Sequence, residues 1–258
     1  MSSAGWAVLS DGRGDCPGQS VDGDLELLQA VHDGALGPTI RLWENRECLV
    51  VTRREFEVAR RRNIIDRMEA EGWPVVPRLT GGTTVTNGPG VLNVSMIFRD
   101  KSPAPAGPGH AYQMLYDLIS EALQRFGLRA RLGQIDGAYC RGGHDISVGG
   151  RKIAGTAQRV RQTGAGERRW RTVLVHAALL VNVDLDEMAR AINNFYDLCD
   201  LSGSIERVKA DRCTTVSQAL GREAAIAEMK DCLIGTVSDQ FSAVPGRSRL
   251  GGTLKRVL

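Results

Sequence analysis

Apolar positions in this chain recur at two spacings, and the change from one to the other lays out the elements. Leu25, Leu28 and Val31 repeat at helical spacing across residues 24–33, and Gly34 offers a stop. Phe56, Ala59, Ile64 and Met68 mark the stripe of a basic helix over 55–71. Met114, Leu115, Leu118, Ile119, Ala122 and Phe126 mark an amphipathic helix over 111–126. Further helices are predicted over 185–195, capped by Asp184, and over 222–234. Between them lie β-prone runs at 39–43, 47–52, 74–79, 91–98 and 170–183, the last carrying His176 in an apolar stretch. Residues 6–9 read as an edge strand, and 102–109 and 162–169 as loops. There is no regular βαβ rhythm, and the glycine signatures of dinucleotide and P-loop sites are absent. The pattern predicts an α+β domain on a mixed, largely antiparallel sheet flanked by helices. Residues 1–23 read as an N-terminal extension, 24–240 as the main domain and 241–258 as a flexible basic tail.

The strongest local signal is residues 137–159, GAYCRGGHDISVGGRKIAGTAQR. Gly149-Gly150 is a two-residue turn between two β-prone runs. The implied register sets Val148 against Arg151, Ser147 against Lys152, Ile146 against Ile153 and Asp145 against Ala154. Ile146, Val148 and Ile153 then share one face, and Asp145, Ser147 and Lys152 the other. Asp145 lies diagonal to Lys152, within a lysine's reach.

This geometry can bring Cys140, a carboxylate and a lysine into one pocket. Cys140 sits in a glycine-flanked loop, which suits a nucleophile whose thiolate a nearby cation favours. A small apolar filler is the other reading. Lys152 is either that cation and a donor to a developing oxyanion, or the structural salt-bridge partner of Asp145. His176 reads most simply as a hydrogen-bonded core histidine. Arg78 enters the Gly81-Gly82 turn and can meet an anion. That turn is either an ordinary tight turn or a point of close backbone approach that a Cβ would block.

Composition adds bounds. The 258 residues carry 33 basic and 30 acidic side chains, a formal charge of +3, too small to suggest nucleic acid. No apolar run reaches the ~18 residues of a membrane span, and the first fifteen residues lack the pattern of a signal peptide. Cys16, Cys48, Cys140, Cys199, Cys213 and Cys232 form no CxxC pair. A reduced, cytoplasmic protein without metal, membrane or nucleic-acid partners is expected.

Two stretches together resemble a known family. Arg78-Leu-Thr-Gly-Gly-Thr-Thr-Val85 followed by Gly90-Val-Leu-Asn-Val-Ser95 resembles the signature of lipoate-protein ligases and octanoyltransferases. Asp145-Ile-Ser-Val-Gly-Gly-Arg-Lys-Ile-Ala-Gly-Thr-Ala157 is similar to that superfamily's hairpin. Residues 137–143 with 155–159 resemble the octanoyl-[glycine cleavage H protein]:protein octanoyltransferase branch, although Arg141 stands where that branch favours proline. Thr83, Thr86, Asn87 and Gly88 stand where ligases often carry a third glycine and Tyr-His-Asp, and His176-Ala177 replaces their His-Gly.

The resemblance implies a biotin/lipoyl protein ligase fold, related to class II aminoacyl-tRNA synthetases, and a cysteine-dependent acyltransferase of lipoate metabolism. Cys140 would carry the acyl thioester and Lys152 would contact the acyl carbonyl. Arg78, Gly81, Gly82, Asn93, Asp145, Gly155 and His176 would serve substrate binding, with Gly81 and Gly82 lining the acyl pocket. Val85, Leu92, Val94 and Ile153 are expected along the octanoyl or lipoyl tunnel. Expected partners are lipoyl-domain proteins (glycine cleavage H protein, 2-oxoacid dehydrogenase E2) or acyl carrier protein, docked on Arg53, Arg54 and Arg60–Arg62. No cofactor is expected. The alternative, a lipoate-protein ligase working through an acyl-adenylate, would need ATP and Mg2+ but not Cys140.

Overall fold

The computed structural model describes residues 5–100, 107, 109–163 and 170–241. The chain begins β1 (Ala7–Arg13), α1 (Pro17–Asp33), β2 (Thr39–Glu44), β3 (Cys48–Thr52), α2 (Arg53–Arg61), α3 (Ile64–Ala70), β4 (Val75–Arg78), β5 (Val85–Asn87) and β6 (Val91–Asp100). It continues α4 (Gly109–Arg125), β7 (Ala130–Leu132), β8 (Ile146–Val148), β9 (Arg151–Thr163), β10 (Trp170–Leu180), α5 (Leu185–Leu198), α6 (Val216–Leu220) and α7 (Ile226–Phe241). The main sheet has the order β1-β2-β6-β10-β9-β8-β7, and a small sheet has the order β4-β3-β5. In the main sheet β1 and β2 are parallel and the other neighbouring pairs antiparallel. The α+β expectation is met. Among the described residues no helix is long and apolar enough to cross a membrane.

β6 shows why the sheet has two unlike faces. Leu92, Val94 and Met96 join Leu115, Leu118 and Ile119 of α4 and Leu233 and Val237 of α7 in the largest core. Period-two alternation turns Asn93 and Ser95 to the opposite face, the side on which α1 packs Leu27, Leu28 and Val31 against Ile97 and Leu174. The small sheet, α2, α3 and α5 close a further core around Val51, Met68, Ile192 and Phe195.

Several boundaries differ from the sequence pattern, each for a local reason. The boundary placed at residue 24 falls inside α1, which starts at Pro17, and β1 pairs with β2, so residues 7–23 belong to the main domain. Residues 55–71 form two helices, α2 and α3. Thr52 and Glu55 make a capping box that starts the first early, and Asn63 in the left-handed region (φ 55°) breaks the second from it. The terminal helix runs on to Phe241. Asp184 caps α5 and Gly34 ends α1 in the left-handed conformation, both as expected. The loop expected at 102–109, apart from 107 and 109, lies outside the described residues, as do 164–169 and the tail from 242.

A buried arginine holds α1 on the sheet. Arg41 of β2 donates to Asp11 (2.7 Å), to Asp24 (2.9 Å) and to the Ser20 carbonyl (2.9 Å). A Cβ on Gly23 would come within 2.8 Å of its guanidinium, so a residue without a side chain lets it pass. Asp24 is thereby neutralised where it faces the space between helix and sheet.

Gly90, at the head of β6, is the tightest backbone contact. Its φ is +87°, its carbonyl accepts from Val181 and Asn182, and a Cβ would lie 1.9 Å from the Asn182 carbonyl oxygen. Gly90→Ala is expected to destabilise the protein by about 3 kcal/mol or more, read as a fall in the urea midpoint at unchanged m-value.

Candidate active site

The hairpin forms at the expected turn, with positive φ at both Gly149 (59°) and Gly150 (76°), as a two-residue primed turn demands. Val148 pairs with Arg151 and Ser147 with Lys152, but Ile146 pairs with Ala154. Ile153 is the extra residue of a β-bulge, so it joins Ile146 and Ala154 in the core under α4. Lys152 goes to the other side, fully buried. Its ammonium meets Asp145 (2.8 Å) and donates to the carbonyls of Tyr139 (2.6 Å) and Cys140 (2.9 Å). These three partners match the three N–H groups of a lysine. Burial pushes the Asp145 carboxyl up, and the Lys152 charge pulls it the other way.

Cys140 is thereby held in a conformation that side chains seldom adopt, φ 39°. The loop is pinned from several sides. The Asp145 carboxylate accepts from the Gly142 N–H (3.0 Å), and the Tyr139 ring, 4.3 Å from the Lys152 ammonium, packs against Gly155. The Gly137 carbonyl accepts from Lys209 (2.8 Å), and Thr214 bonds the Lys152 carbonyl (2.8 Å). Elsewhere in the chain burial pushes the Cys48 thiol up to about 12 and the Cys199 thiol to about 11. Cys140 is half-buried at the end of a cavity.

The Gly81-Gly82 turn supplies the surroundings of its sulfur. The Thr83 N–H donates to Cys140 Sγ at 3.1 Å, and Arg78 Nη2 lies 3.8 Å away. A Cβ on Gly82 (φ 101°) would lie 2.5 Å from Sγ, so Gly82 is required for this approach. Gly81 faces open space. Both glycines form the exposed rim beside the sulfur and do not line the cavity, a correction to the expectation for them. Arg78, only 5% exposed, also donates to the carbonyls of Val50, Gly81 and Thr83 (2.7, 3.0 and 2.5 Å). Among the described residues its partners are carbonyls and this sulfur, not a carboxylate.

From Cys140 the cavity crosses four adjacent strands. It is floored by Gly155 and Ala157 of β9, His176 and Ala178 of β10, Asn93 of β6 and Trp43 of β2. At ~4.8 Å per strand step this is about 14 Å. Val21 and Leu25 of α1 form the roof, and Val50, Leu79, Val85 and Leu174 add apolar wall. The space amounts to about 670 Å³, counting the part open to solvent. Of the expected tunnel residues Val85 lines it. Leu92, Val94 and Ile153 do not, because strand parity and the bulge turn them into the core under α4.

The polar groups in this cavity are bonded to one another. Asn87 and Asn93 exchange amide bonds (3.2 and 2.7 Å), and Ser95 donates to Asp24 (2.7 Å) and accepts from the Trp43 indole (3.1 Å). His176 shares a bond with the Thr80 hydroxyl (3.1 Å) and stands 3.8 Å from Asp24. Burial holds its imidazole below the ordinary value, with Asp24 opposing and Arg78 assisting, so it is neutral at pH 7. It faces the cavity, not a closed core.

Of the sequence-predicted residues, Arg78, Asn93, Cys140, Gly155 and His176 meet at the cavity. Asp145 and Lys152 stand behind the Cys140 loop. Thr83, Trp43, Asp24, Asn87 and Tyr139 escaped the sequence reading. Glu55, also missed, left a signal, the Thr-x-x-Glu capping pattern from Thr52.

Residues 17–238 match the family model of the lipoyl protein ligase A/B catalytic domain. The octanoyl-[GcvH]:protein N-octanoyltransferase of Kyrpidia tusciae is 38% identical over 162 residues, which span 62% of this chain and 56% of that protein. The protein of the same name from Geobacillus kaustophilus is 32% identical over 215 residues, 82% of this chain and 73% of its own length. Among solved structures, a lipoate-protein ligase A bound with ATP superposes with a TM-score of 0.73 at 21% identity, covering 98% of this chain and 92% of that one. A putative lipoate protein ligase of T. acidophilum with bound lipoic acid gives 0.70 at 20%, with the same coverages. At such identities the two structures speak for the fold. The chain belongs to the lipoyl protein ligase A/B catalytic-domain family.

Proposed function

We propose that this chain is a cysteine-dependent octanoyltransferase, moving an octanoyl group through an acyl thioester on Cys140 onto a lysine of a lipoyl-domain protein. The observation that carries this reading is the position of Cys140. Its sulfur stands at one end of an apolar cavity and faces a backbone N–H and a guanidinium. The named relatives, octanoyl-[GcvH]:protein N-octanoyltransferases, support the same reaction class and an H protein as the donor. A 2-oxoacid dehydrogenase E2 domain is the acceptor in this reading.

The Cys140 sulfur attacks the acyl carbonyl carbon. A C–S bond forms, the C–N bond to the donor lysine breaks, and the thiol proton ends on the departing amine. The acceptor's lysine amine then attacks the thioester: a new C–N bond forms, the C–S bond breaks and the proton lost by the amine returns to the sulfur. One amide replaces another, so the exchange is nearly thermoneutral and consumes no ATP. Arg78 and the Thr83 N–H face the sulfur from the side of the glycine turn. After attack the carbonyl oxygen, where negative charge develops, stands two bonds from the sulfur that this N–H faces. Lys152 acts through the loop. It reaches the acyl carbonyl only by releasing one of the two loop carbonyls it holds.

The docking expectation narrows. Arg60 pairs with Glu57 and Arg62 with Asp200. Arg53 and Arg54, exposed at the start of α2, remain beside the glycine turn, since Thr52 pairs with Arg78 across the small sheet. These two would steer an acidic lipoyl domain toward the mouth.

Incubation with octanoylated H protein is expected to add one octanoyl mass to the wild-type enzyme, located at Cys140 by peptide mapping. Cys140→Ala should lower transfer by about 10³-fold or more. Full transfer by this variant from octanoate and ATP would instead establish the adenylate route. Trp43→Ala, which opens the far end of the cavity, should raise the kcat/KM ratio of dodecanoyl to octanoyl donors by about tenfold or more; an unchanged ratio would place the chain terminus elsewhere. Arg53→Glu with Arg54→Glu should lower kcat/KM for protein-bound donor by about tenfold at low salt, and the loss should shrink as salt rises. A loss indifferent to salt would refute steering.

A further inference from the structure

Glu55 is a buried carboxylate whose two oxygens serve different elements. Oε2 accepts from the Thr52 N–H and hydroxyl, both at 2.7 Å, and completes the cap of α2. Oε1 accepts from the Thr84 N–H (3.1 Å) and approaches its hydroxyl (3.3 Å). A capping glutamate ordinarily serves its own helix. This one also reaches the turn that carries the donor to the Cys140 sulfur.

The peptide unit joining Thr83 to Thr84 is held at both polar ends. Its carbonyl accepts from Arg78 Nη2 (2.5 Å), and its N–H donates to Glu55. Because the peptide is planar, two anchors fix its orientation. The N–H aimed at Sγ is one residue earlier, on Thr83, and Gly82 before it has the widest conformational freedom of any residue type. With the second anchor gone, this peptide would be held at one polar end alone, by Arg78.

We infer that Glu55 is a positioning residue for the reaction: through Thr84 it aims the Thr83 N–H at the Cys140 sulfur. The inference rests on the reading of Cys140 as the acyl-carrying nucleophile. Glu55→Gln is the sharp perturbation. The amide has one carbonyl oxygen, so it cannot accept from both the Thr52 and the Thr84 N–H, and one buried donor is left without a partner.

Three measurements separate positioning from mere capping: the melting temperature, the single-turnover rate of octanoyl loading onto Cys140, and the rate of Cys140 alkylation by iodoacetamide at fixed pH. Glu55→Gln is expected to slow loading by about ten- to a hundredfold, less than the ~10²–10³ lost when such a donor is removed outright, and to slow alkylation severalfold. Thr52→Ala weakens the same helix cap but leaves the Thr84 bond, and should lower the melting temperature while loading stays within about twofold of wild type. Thr84→Val, which removes only the hydroxyl contact, should slow loading severalfold and serves if Glu55→Gln does not fold. Wild-type loading in both Glu55→Gln and Thr84→Val would overturn the inference. So would an equal slowing in Thr52→Ala. If wild-type enzyme is alkylated at Cys140 yet takes no octanoyl group, the octanoyl reading fails, and the alkylation rates alone judge Glu55.

Discussion

The buried ammonium of Lys152 is the interaction on which the site depends. An ion placed at 0% exposure carries a desolvation penalty of several kcal/mol, offset only by good geometry and full hydrogen bonding. Lys152 has Asp145 for charge and hydrogen bonds to the Tyr139 and Cys140 carbonyls. Removing one partner of such a pair costs about 3–5 kcal/mol, because the other charge stays behind. The two carbonyl bonds also resist relaxation of Cys140 out of its positive-φ conformation. Loop shape, ion pair and nucleophile position are therefore one cooperative unit, and the bulge at Ile153 supplies the turn of the strand that buries both faces of the hairpin.

The cavity follows from a different constraint, the parity of strands. At the floor itself the strands present small or polar residues to the α1 side (Gly155, Ala157, His176, Ala178 and Asn93) and large aliphatic residues to the α4 side, while Leu174 and Ile97 pack against α1 beside it. Trp43 is the large exception, and it stands across from Cys140, at the β2 end. The polar residues in the floor would oppose an apolar ligand if their hydrogen bonds were open. They are closed on one another through the Asn87–Asn93 pair and the Asp24–Ser95–Trp43 chain, so the floor presents carbon and satisfied dipoles. Arg41 completes this by drawing the Asp24 charge away from the cavity.

What could be read from the residues was what local rules determine. The glycine turn at 149–150, the α4 stripe and the Asp184 cap each follow from a few neighbouring positions. The fold class followed from the order of the periods, and two long motifs pointed to the family. The rest is decided by contacts distant in sequence. The edge strand read at 6–9 is β1, but its place in the main domain could not be read, because its parallel partner is reached only after α1. The bulge was invisible because it depends on how much core α4 leaves to fill. Leu92 and Val94 were placed in the tunnel because an apolar alternation shows that a strand has two faces, not which face meets which layer.

The same limit governed the two cations. Charge alone suggested Lys152 as the companion of the Cys140 sulfur, since both lie in one hairpin segment. The structure gives the sulfur Arg78 and gives the lysine the loop behind it. Their chemistries suit these places. A guanidinium is a flat fork with five donors, so Arg78 can hold the carbonyls of Val50, Gly81 and Thr83 and still present an edge to the sulfur. An ammonium is a compact point charge with three donors, and Lys152 closes a small cage that an arginine would overfill. The arginine can therefore answer a change in charge at the sulfur without leaving its carbonyls, whereas the lysine can take a new partner only by giving up an old one. The positive charge beside the sulfur and the position of the loop are thus borne by separate cations.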